Sequence, residues 1–473
     1  MKHLALGLWL WLSVCGTAWT PIEPPHQSVD DSLLSGGATV RTVIVASPRS
    51  ALPRAGVVRL AGRGFVDDDG PYLGVGASLF WAGWGYAHDR ARLERNLQTL
   101  ADAGVDYIRV LGVVGWSGPR CDGLIERCDS WSDRTTTAAE LMTTDTIAGL
   151  TDLAYDTYHL RVQWTIFGGI ESTPTAADRE ALVRRFAAVV ASRAHKLQLW
   201  EGANEGWQNG FGSDSGRAEI RRYAQILRTL TPNLVALTSP ENLGDGARAW
   251  YDGSAANIFT AHLARSTNGT GGLFGPVRQA RDMVDQGLAW TSNEPIGAQS
   301  SVAEDDDPLR LALAAAYTWL CHGAGYVVHT GAGIRGGGLA DVQLGRAANL
   351  WESPRFAETM KAIAAVRRVL PADLPNYTWF NGNGNFPGYP FETGPIQDEA
   401  NLLRAMAAIG PDGQMVVIPI NVRRPTRFTA RRPMVFDVVD PATAAIRSHQ
   451  ELAAGQAFTL EPTQGVILKG QFR

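Results

Sequence analysis

Short apolar runs alternate with longer amphipathic stretches along most of this chain. From Tyr72 onward, Tyr72–Phe80, Asp106–Val114, Arg161–Phe167, Leu197–Asn204, Leu234–Ser239, Asn257–Leu263, Leu288–Asn293 and Gly325–His329 read as strands. Between them, helical periodicity runs through Asp89–Ala103, Thr144–Tyr158, Thr175–His195, Arg217–Leu230 and Pro308–Leu320. A last helical stretch begins near Glu358 and ends at Leu370. Strands that are apolar on both faces and joined by helices build a parallel sheet, and eight such units predict a closed (β/α)8 barrel over residues 56–370. The alternative is an open doubly wound sheet. That fold usually carries a Gly-rich phosphate turn after its first strand, and none is present there.

The flanks have a different texture. Residues 19–55 combine a Pro/Ser/Asp/Gly-rich linker with short strand-like runs at Thr42–Ala46 and, just beyond, Gly56–Leu60. The turn-rich Gly64–Pro71 between two apolar stretches suits a small β-cap on the bottom of a barrel. After Leu370 the chain becomes rich in Pro, Asn and Gly. The runs Leu402–Ala407, Met415–Asn421, Met434–Asp437 and Ala457–Leu468 then predict an antiparallel β-sandwich over residues 371–473. Few aromatics there could form a stacking platform, so a structural sandwich is preferred over a carbohydrate-binding module.

The first 18 residues read as an export signal: Lys2 and His3, an apolar run from Leu4 to Val14, and a small-residue cleavage site at Gly16-Thr17-Ala18. The run is too short to span a bilayer, which points to a secreted or periplasmic protein. Leu12-Ser13-Val14-Cys15 also loosely resembles a lipoprotein box, which would instead anchor the chain through lipid on Cys15. In an oxidising compartment Cys121 and Cys128 are read as a local disulfide; zinc is the other reading, but no nearby His or Cys completes a ligand set. Cys321, ending an apolar helix, is expected to be a buried spectator. A net charge of -4 leaves no basic footprint for nucleic acid or an anionic membrane. No cofactor or metal motif is present.

Active sites of such barrels sit at the carboxyl ends of the strands. Strand 4 leads into Asn204-Glu205 and strand 7 into Asn293-Glu294, so two glutamates would face each other across the mouth. Paired carboxyl groups suit cleavage of a glycosidic bond, where one protonates the leaving oxygen and the other attacks or stabilises the anomeric centre. Aromatics gather at the same end: Phe80, Trp81 and Trp84 after strand 1, Trp116 and Trp131 after strand 2, and Trp207 after strand 4. Sugar C–H faces stack on such rings. Glu171 and Glu241 also follow strands and would be substitute carboxylates if the register were shifted.

These residues resemble clan A of the glycoside hydrolases, family 5 and its relatives in particular. The resemblance covers roughly residues 60–370. It implies a retaining hydrolase acting on a β-linked oligo- or polysaccharide, with Glu205 as acid/base, Glu294 as nucleophile and Asn204 on the sugar 2-hydroxyl. Arg109 matches a strand-2 arginine beside the nucleophile and His262 a strand-6 histidine. Two departures stand out. Ala264 replaces the aromatic two places after that histidine, and His329 ends strand 8 where a tryptophan is typical. His262, His329, Trp81 and Trp207 are taken as substrate-binding candidates. The rivals are a sugar-binding barrel without turnover, a transglycosylase using the same residues, and a metal-dependent hydrolase. The last would want a His-x-His after strand 1, where Tyr86-Ala87-His88-Asp89 offers one histidine.

Overall fold

The computed structural model describes residues 52–114, 141–241, 243, 245–263, 274–295, 297–299, 305–336, 345–382, 387–393 and 404–473. The export signal, Cys15, most of the linker and the Cys121/Cys128 loop lie outside the described residues. So do Trp116, Trp131 and Ala264.

The described residues open with a three-stranded antiparallel meander, β1 (Arg59–Ala61), β2 (Gly64–Asp67) and β3 (Gly70–Tyr72). The turn chemistry expected over residues 64–71 is confined to Asp68-Asp69, and Gly70 supplies the positive φ of 100°. Tyr72 belongs to this meander and not to the first barrel strand, a correction to the single run read from the sequence. The meander is a plug: Val58, Phe65 and Tyr72 pack against Leu199, Leu234, Ala236, Ile258, Ala289 and Ala324. Asp67 ties it down, accepting from Arg54 Nη2 at 2.6 Å and Arg161 Nη1 at 2.8 Å. Burial works against that carboxylate's charge, but the two guanidiniums win and hold its pKa below the usual range.

Eight parallel strands follow: β4 (Gly74–Ser78), β5 (Tyr107–Val113), β6 (Arg161–Phe167), β7 (Leu197–Ala203), β8 (Val235–Ala236), β9 (Phe259–Ala261), β10 (Trp290–Ser292) and β11 (Gly323–Val328). Their order around the sheet is β8-β7-β6-β5-β4-β11-β10-β9, that of a (β/α)8 barrel. The ladder has its seam between β8 and β9, and backbone and side-chain hydrogen bonds together stitch it. Asn257 donates its N–H to Val235 O at 3.0 Å and accepts from Val235 N at 2.8 Å. The Tyr251 hydroxyl donates to Thr238 O at 2.8 Å and accepts from the backbone N–H of Leu237, Thr238 and Thr260.

The helices start where the sequence offers a cap. Asp89 accepts from Arg92 N ahead of Arg90–Asp102, Thr143 from Thr146 N ahead of Thr144–Asp152, and Thr175 from Asp178 N ahead of Ala176–Val190. Ser213 does the same for Asp214–Leu230 and Asp307 for Pro308–Leu320. Each such cap contributes about 1 kcal/mol. Their apolar faces meet the outward residues of the strands in one continuous core that includes Val110, Trp164, Trp200 and Trp290.

The C-terminal strands form two antiparallel sheets, one of seven strands and one of three. Phe391, Phe428, Phe436 and Phe458 interlock between them with ring centroids 5.1–5.8 Å apart. This is the β-sandwich expected. Its larger sheet packs on the Pro308–Leu320 helix, where Leu313 meets Gly465 and the Tyr317 hydroxyl bonds Ile418 O. Cys321 ends that helix fully buried, with Sγ 3.7 Å from Met406 Sδ, and burial pushes its thiol pKa far up.

Candidate active site

Parallel registry sets the site. Ser78 lies beside Arg109, Arg109 beside Gln163, and Thr165 beside Glu201 across β4, β5, β6 and β7. With the two-residue period of a strand, these side chains turn into the barrel while Ile108, Val110, Val162, Trp164 and Trp200 turn out to the helices. The polar layer is fully buried, so its members turn to one another for most of their hydrogen bonds.

Arg109 is its hub. Nη1 donates to Glu294 Oε1 at 2.7 Å, Nη2 to Glu201 Oε2 and to Asn204 Oδ1 at 2.8 Å each, and Nε to Glu201 Oε2 at 3.0 Å. Burial opposes the guanidinium charge, but Glu201 and Glu294 outweigh it and raise the arginine pKa above its ordinary value. Glu201 also accepts from Thr165 Oγ1 at 2.6 Å and Asn293 Nδ2 at 3.0 Å. Glu201, Thr165 and Asn293 were not singled out from the sequence. The available signal was a carboxylate inside an otherwise apolar strand, since such a charge is costly to bury without a cation.

Glu205 stands just beyond the end of β7 with φ +40°, a left-handed conformation that costs a non-glycine residue about 1–2 kcal/mol. The following turn holds it there: its carbonyl accepts from the N–H of Gln208 and Asn209 at 2.9 and 3.1 Å, and Gly206 N donates to Thr238 Oγ1 at 2.7 Å. Asn209 Nδ2 donates to Asn204 O at 2.7 Å, which locks the Asn204-Glu205 pair from behind. Strain of this kind gathers at functional positions. The Glu205 side chain is partly open to solvent and meets the Gln208 amide.

His262, just past β9, joins the two glutamates. Its Nδ1 is 2.9 Å from Glu205 Oε1 and 3.5 Å from Glu294 Oε2. One ligand-type atom each of Glu205, His262 and Glu294 lies within 4.8 Å of the other two. The same geometry would admit a metal ion, but here the imidazole and carboxylates are engaged with each other. His329, just beyond β11, puts Nε2 3.7 Å from Glu294 Oε2 and Nδ1 2.8 Å from Ser78 Oγ. So Glu205, Glu294, Asn204, Arg109, His262 and His329 come together at one mouth of the barrel.

Other candidates stand elsewhere. Trp81 is a correction: it is 0% exposed, its indole N–H donates to Ala332 O at 3.0 Å, and Arg92 covers its ring at 4.3 Å. The chain turns into the Ala82–His88 helix immediately after Trp81, which directs the ring into the core and gives a sugar no face to stack on. Trp207 is partly buried against the core. Phe80 is buried, with the Arg109 guanidinium 5.0 Å from its ring. Glu171 and Glu241 are exposed loop residues.

No protein-family model matches the sequence, and no curated protein matches it in sequence. Solved structures do match in fold. A glycoside hydrolase family 5 protein from Bacteroides vulgatus superposes with a TM-score of 0.60 at 12% identity, covering 88% of this chain and 94% of that one. Another glycoside hydrolase gives 0.59 at 11% identity, over 88% of this chain and 97% of that one. A family 27 β-L-arabinopyranosidase from Geobacillus stearothermophilus gives 0.50 at 11%, over 85% and 96%. The chain thus has the fold found in these glycoside hydrolase structures, a (β/α)8 barrel followed by a β-sandwich.

Proposed function

We propose that this protein is a retaining glycoside hydrolase acting on a β-linked oligo- or polysaccharide. The observation that carries the reading is the approach of Glu205 and Glu294, with oxygens within 4.8 Å of each other at the carboxyl ends of strands 4 and 7. Retention goes with carboxyls about 5–5.5 Å apart and inversion with about 6.5–9.5 Å; oxygens within 4.8 Å, with His262 Nδ1 reaching both carboxylates, favour the shorter separation. The same fold in the glycoside hydrolase structures supports it.

In the first step Glu294 attacks the anomeric carbon as the glycosidic bond breaks. The leaving oxygen takes the bond's electron pair and the proton of Glu205. In the second step the Glu205 carboxylate removes a proton from water, the water oxygen attacks the same carbon, and the ester bond's electrons return to Glu294. Arg109 pairs with the nucleophile's charge and fixes its position. Because Asn204 Oδ1 accepts from Arg109, Nδ2 is the end that donates to a sugar hydroxyl. Trp207 is the candidate stacking platform. The export reading of residues 1–18, or a lipid on Cys15, goes with a polymer met outside the cytoplasm. No helix among the described residues is long and apolar enough to cross a membrane.

The test is turnover of aryl β-glycosides and β-linked oligosaccharides, with the product anomer read by NMR. A slow 2-fluoro glycoside should label Glu294, seen as a mass increase on its peptide. Loss of turnover with a chelator would favour a metal held by Glu205, His262 and Glu294. Sugar binding without turnover or labelling would leave a binding protein.

A further inference from the structure

Arg109 Nη1 holds Glu294 Oε1 at 2.7 Å, and two imidazoles stand near Oε2. His262 Nδ1 lies 3.5 Å from it and His329 Nε2 lies 3.7 Å from it. His329 is 1% exposed, and its ring stands 5.7 Å from Phe80 at a tilt of 60°. A ring sealed in this way is placed to act on the carboxylate, and it offers no face to a sugar.

The other ring nitrogen is equally constrained. Ser78 Oγ lies 2.8 Å from His329 Nδ1, and Ser78 is itself 1% exposed. Neighbouring backbone fixes this serine. Val328 pairs with Ala77 across β11 and β4. Gly333 sits so close that a Cβ there would come within 2.0 Å of Ser78 O, and Phe80 N donates to Gly333 O at 2.9 Å. Ser78 and His329 therefore meet from adjacent strands with little room to move.

A neutral imidazole carries one proton, and the partner of one nitrogen decides where it sits. Glu294, when ionised, only accepts. A proton on Nε2 aims an N–H dipole at that carboxylate across 3.7 Å, and the Ser78 hydroxyl then donates to the bare Nδ1. The opposite tautomer would turn the lone pair of Nε2 toward a carboxylate. We propose that Ser78 and His329 are positioning residues for the nucleophile, the Glu294 charge selecting the tautomer in which His329 turns Nε2–H toward Oε2 and the Ser78 hydroxyl holding the ring in that orientation. This rests on Glu294 being the nucleophile. It assigns to a serine–histidine pair the orientation of the carboxylate that attacks the sugar.

The first measurement needs no activity. With 15N-labelled histidine in the full chain at neutral pH, His329 is identified by the signal missing from His329→Gln. The expected pattern is a protonated Nε2 and a bare Nδ1, with the Nδ1 signal shifted in Ser78→Ala as its hydrogen bond is lost. A protonated Nδ1 with a bare Nε2 in the unaltered protein overturns the proposal whether or not the protein is a glycosidase. The second measurement uses an aryl glycoside that the protein turns over. Ser78→Ala should lower kcat roughly tenfold to a hundredfold, the usual effect of removing an orienting partner, while KM stays within about twofold. Ser78→Thr keeps the hydroxyl and should recover most of kcat. Unchanged kcat in Ser78→Ala, or a kcat loss that Ser78→Thr does not recover, overturns the positioning role. If no glycoside is turned over but the expected tautomer is present, the glycosidase reading fails and the Ser78–His329 geometry stands.

Discussion

Arg109 and Glu201 are joined at 2.8 Å inside the barrel, and solvent reaches neither side chain. Glu201 sits four residues before Glu205 on the same chain segment, yet it serves a different purpose. It balances the arginine whose remaining donors hold Glu294 and Asn204. Replacing it with leucine leaves a buried guanidinium with one carboxylate in place of two, and such uncompensated charges cost about 3–5 kcal/mol. Urea denaturation of Glu201→Leu should show that loss, while Glu294→Gln, a conservative change that keeps an acceptor, should lose less. Equal stability of Glu201→Leu and the unaltered chain would remove the ion pair from any account of how the polar layer is held.

The backbone at Glu205 leads to a separate expectation. Its φ of +40° suits glycine and strains other residues. Glu205→Ala and Glu205→Gly both delete the carboxylate, so they lose the same contacts to His262 and Gln208. Only the glycine relieves the strain. Glu205→Gly should be more stable than Glu205→Ala by about 1 kcal/mol, the reverse of the usual order in regular structure. Both should lose roughly 10²–10⁴ in turnover of ordinary substrates. With a good aryl leaving group, azide should restore turnover and give the retained glycosyl azide, because azide needs no general base. A calorimetric order of Ala above Gly would show that the turn does not strain this residue.

Much of this was legible because a barrel strand writes its burial as an uninterrupted apolar run. Arg161–Phe167 and Pro308–Leu320 match their observed elements residue for residue. The strands at the seam are shorter than read: Leu234–Ser239 narrows to Val235–Ala236, and Asn257–Leu263 to Phe259–Ala261. Apolar patterning reports burial, and these segments are buried. It says nothing of the backbone ladder, which side chains supplement here. The glutamate pair was legible from strand ends alone. Glu201 was not, because its role depends on the partner that registry brings beside it. Trp81 was misplaced because sequence position at a strand end fixes the neighbourhood of a ring and not its direction.

The seam itself can be probed. The Tyr251 hydroxyl serves three N–H groups and one carbonyl between β8 and β9. Tyr251→Phe keeps the ring against Phe259, 4.5 Å between centroids, and removes only the oxygen. Buried backbone groups left without partners cost about 1–3 kcal/mol. The expected result is a loss in that range, with faster amide exchange concentrated at 234–239 and 257–263. Uniform exchange rates across all eight strands would mean that the seam is no weaker than the ladders.

One pH-dependent contribution to stability comes from His322, at the opposite end of β11 from His329, between the Pro308–Leu320 helix and that strand. Burial, reinforced by the charge of Arg63, lowers its pKa from 6.5 to about 4. Its Nε2 donates to Tyr377 O at 3.1 Å, while Nδ1 is buried with no partner among the described residues. The ring is therefore neutral when folded. Unfolded, it takes up a proton below about pH 6.5. Between about pH 6.5 and pH 4 the unfolded chain binds more protons, so stability rises with pH across that window. The group withdraws roughly 3 kcal/mol on going from the top of the window to the bottom. The backbone at His322 has φ +70°, which asparagine tolerates better than most residues. His322→Asn should flatten the stability curve between pH 4 and 6.5 and leave glycoside turnover at neutral pH unchanged. An undiminished slope in the variant would mean that the acid sensitivity arises from other groups, the paired carboxylates foremost.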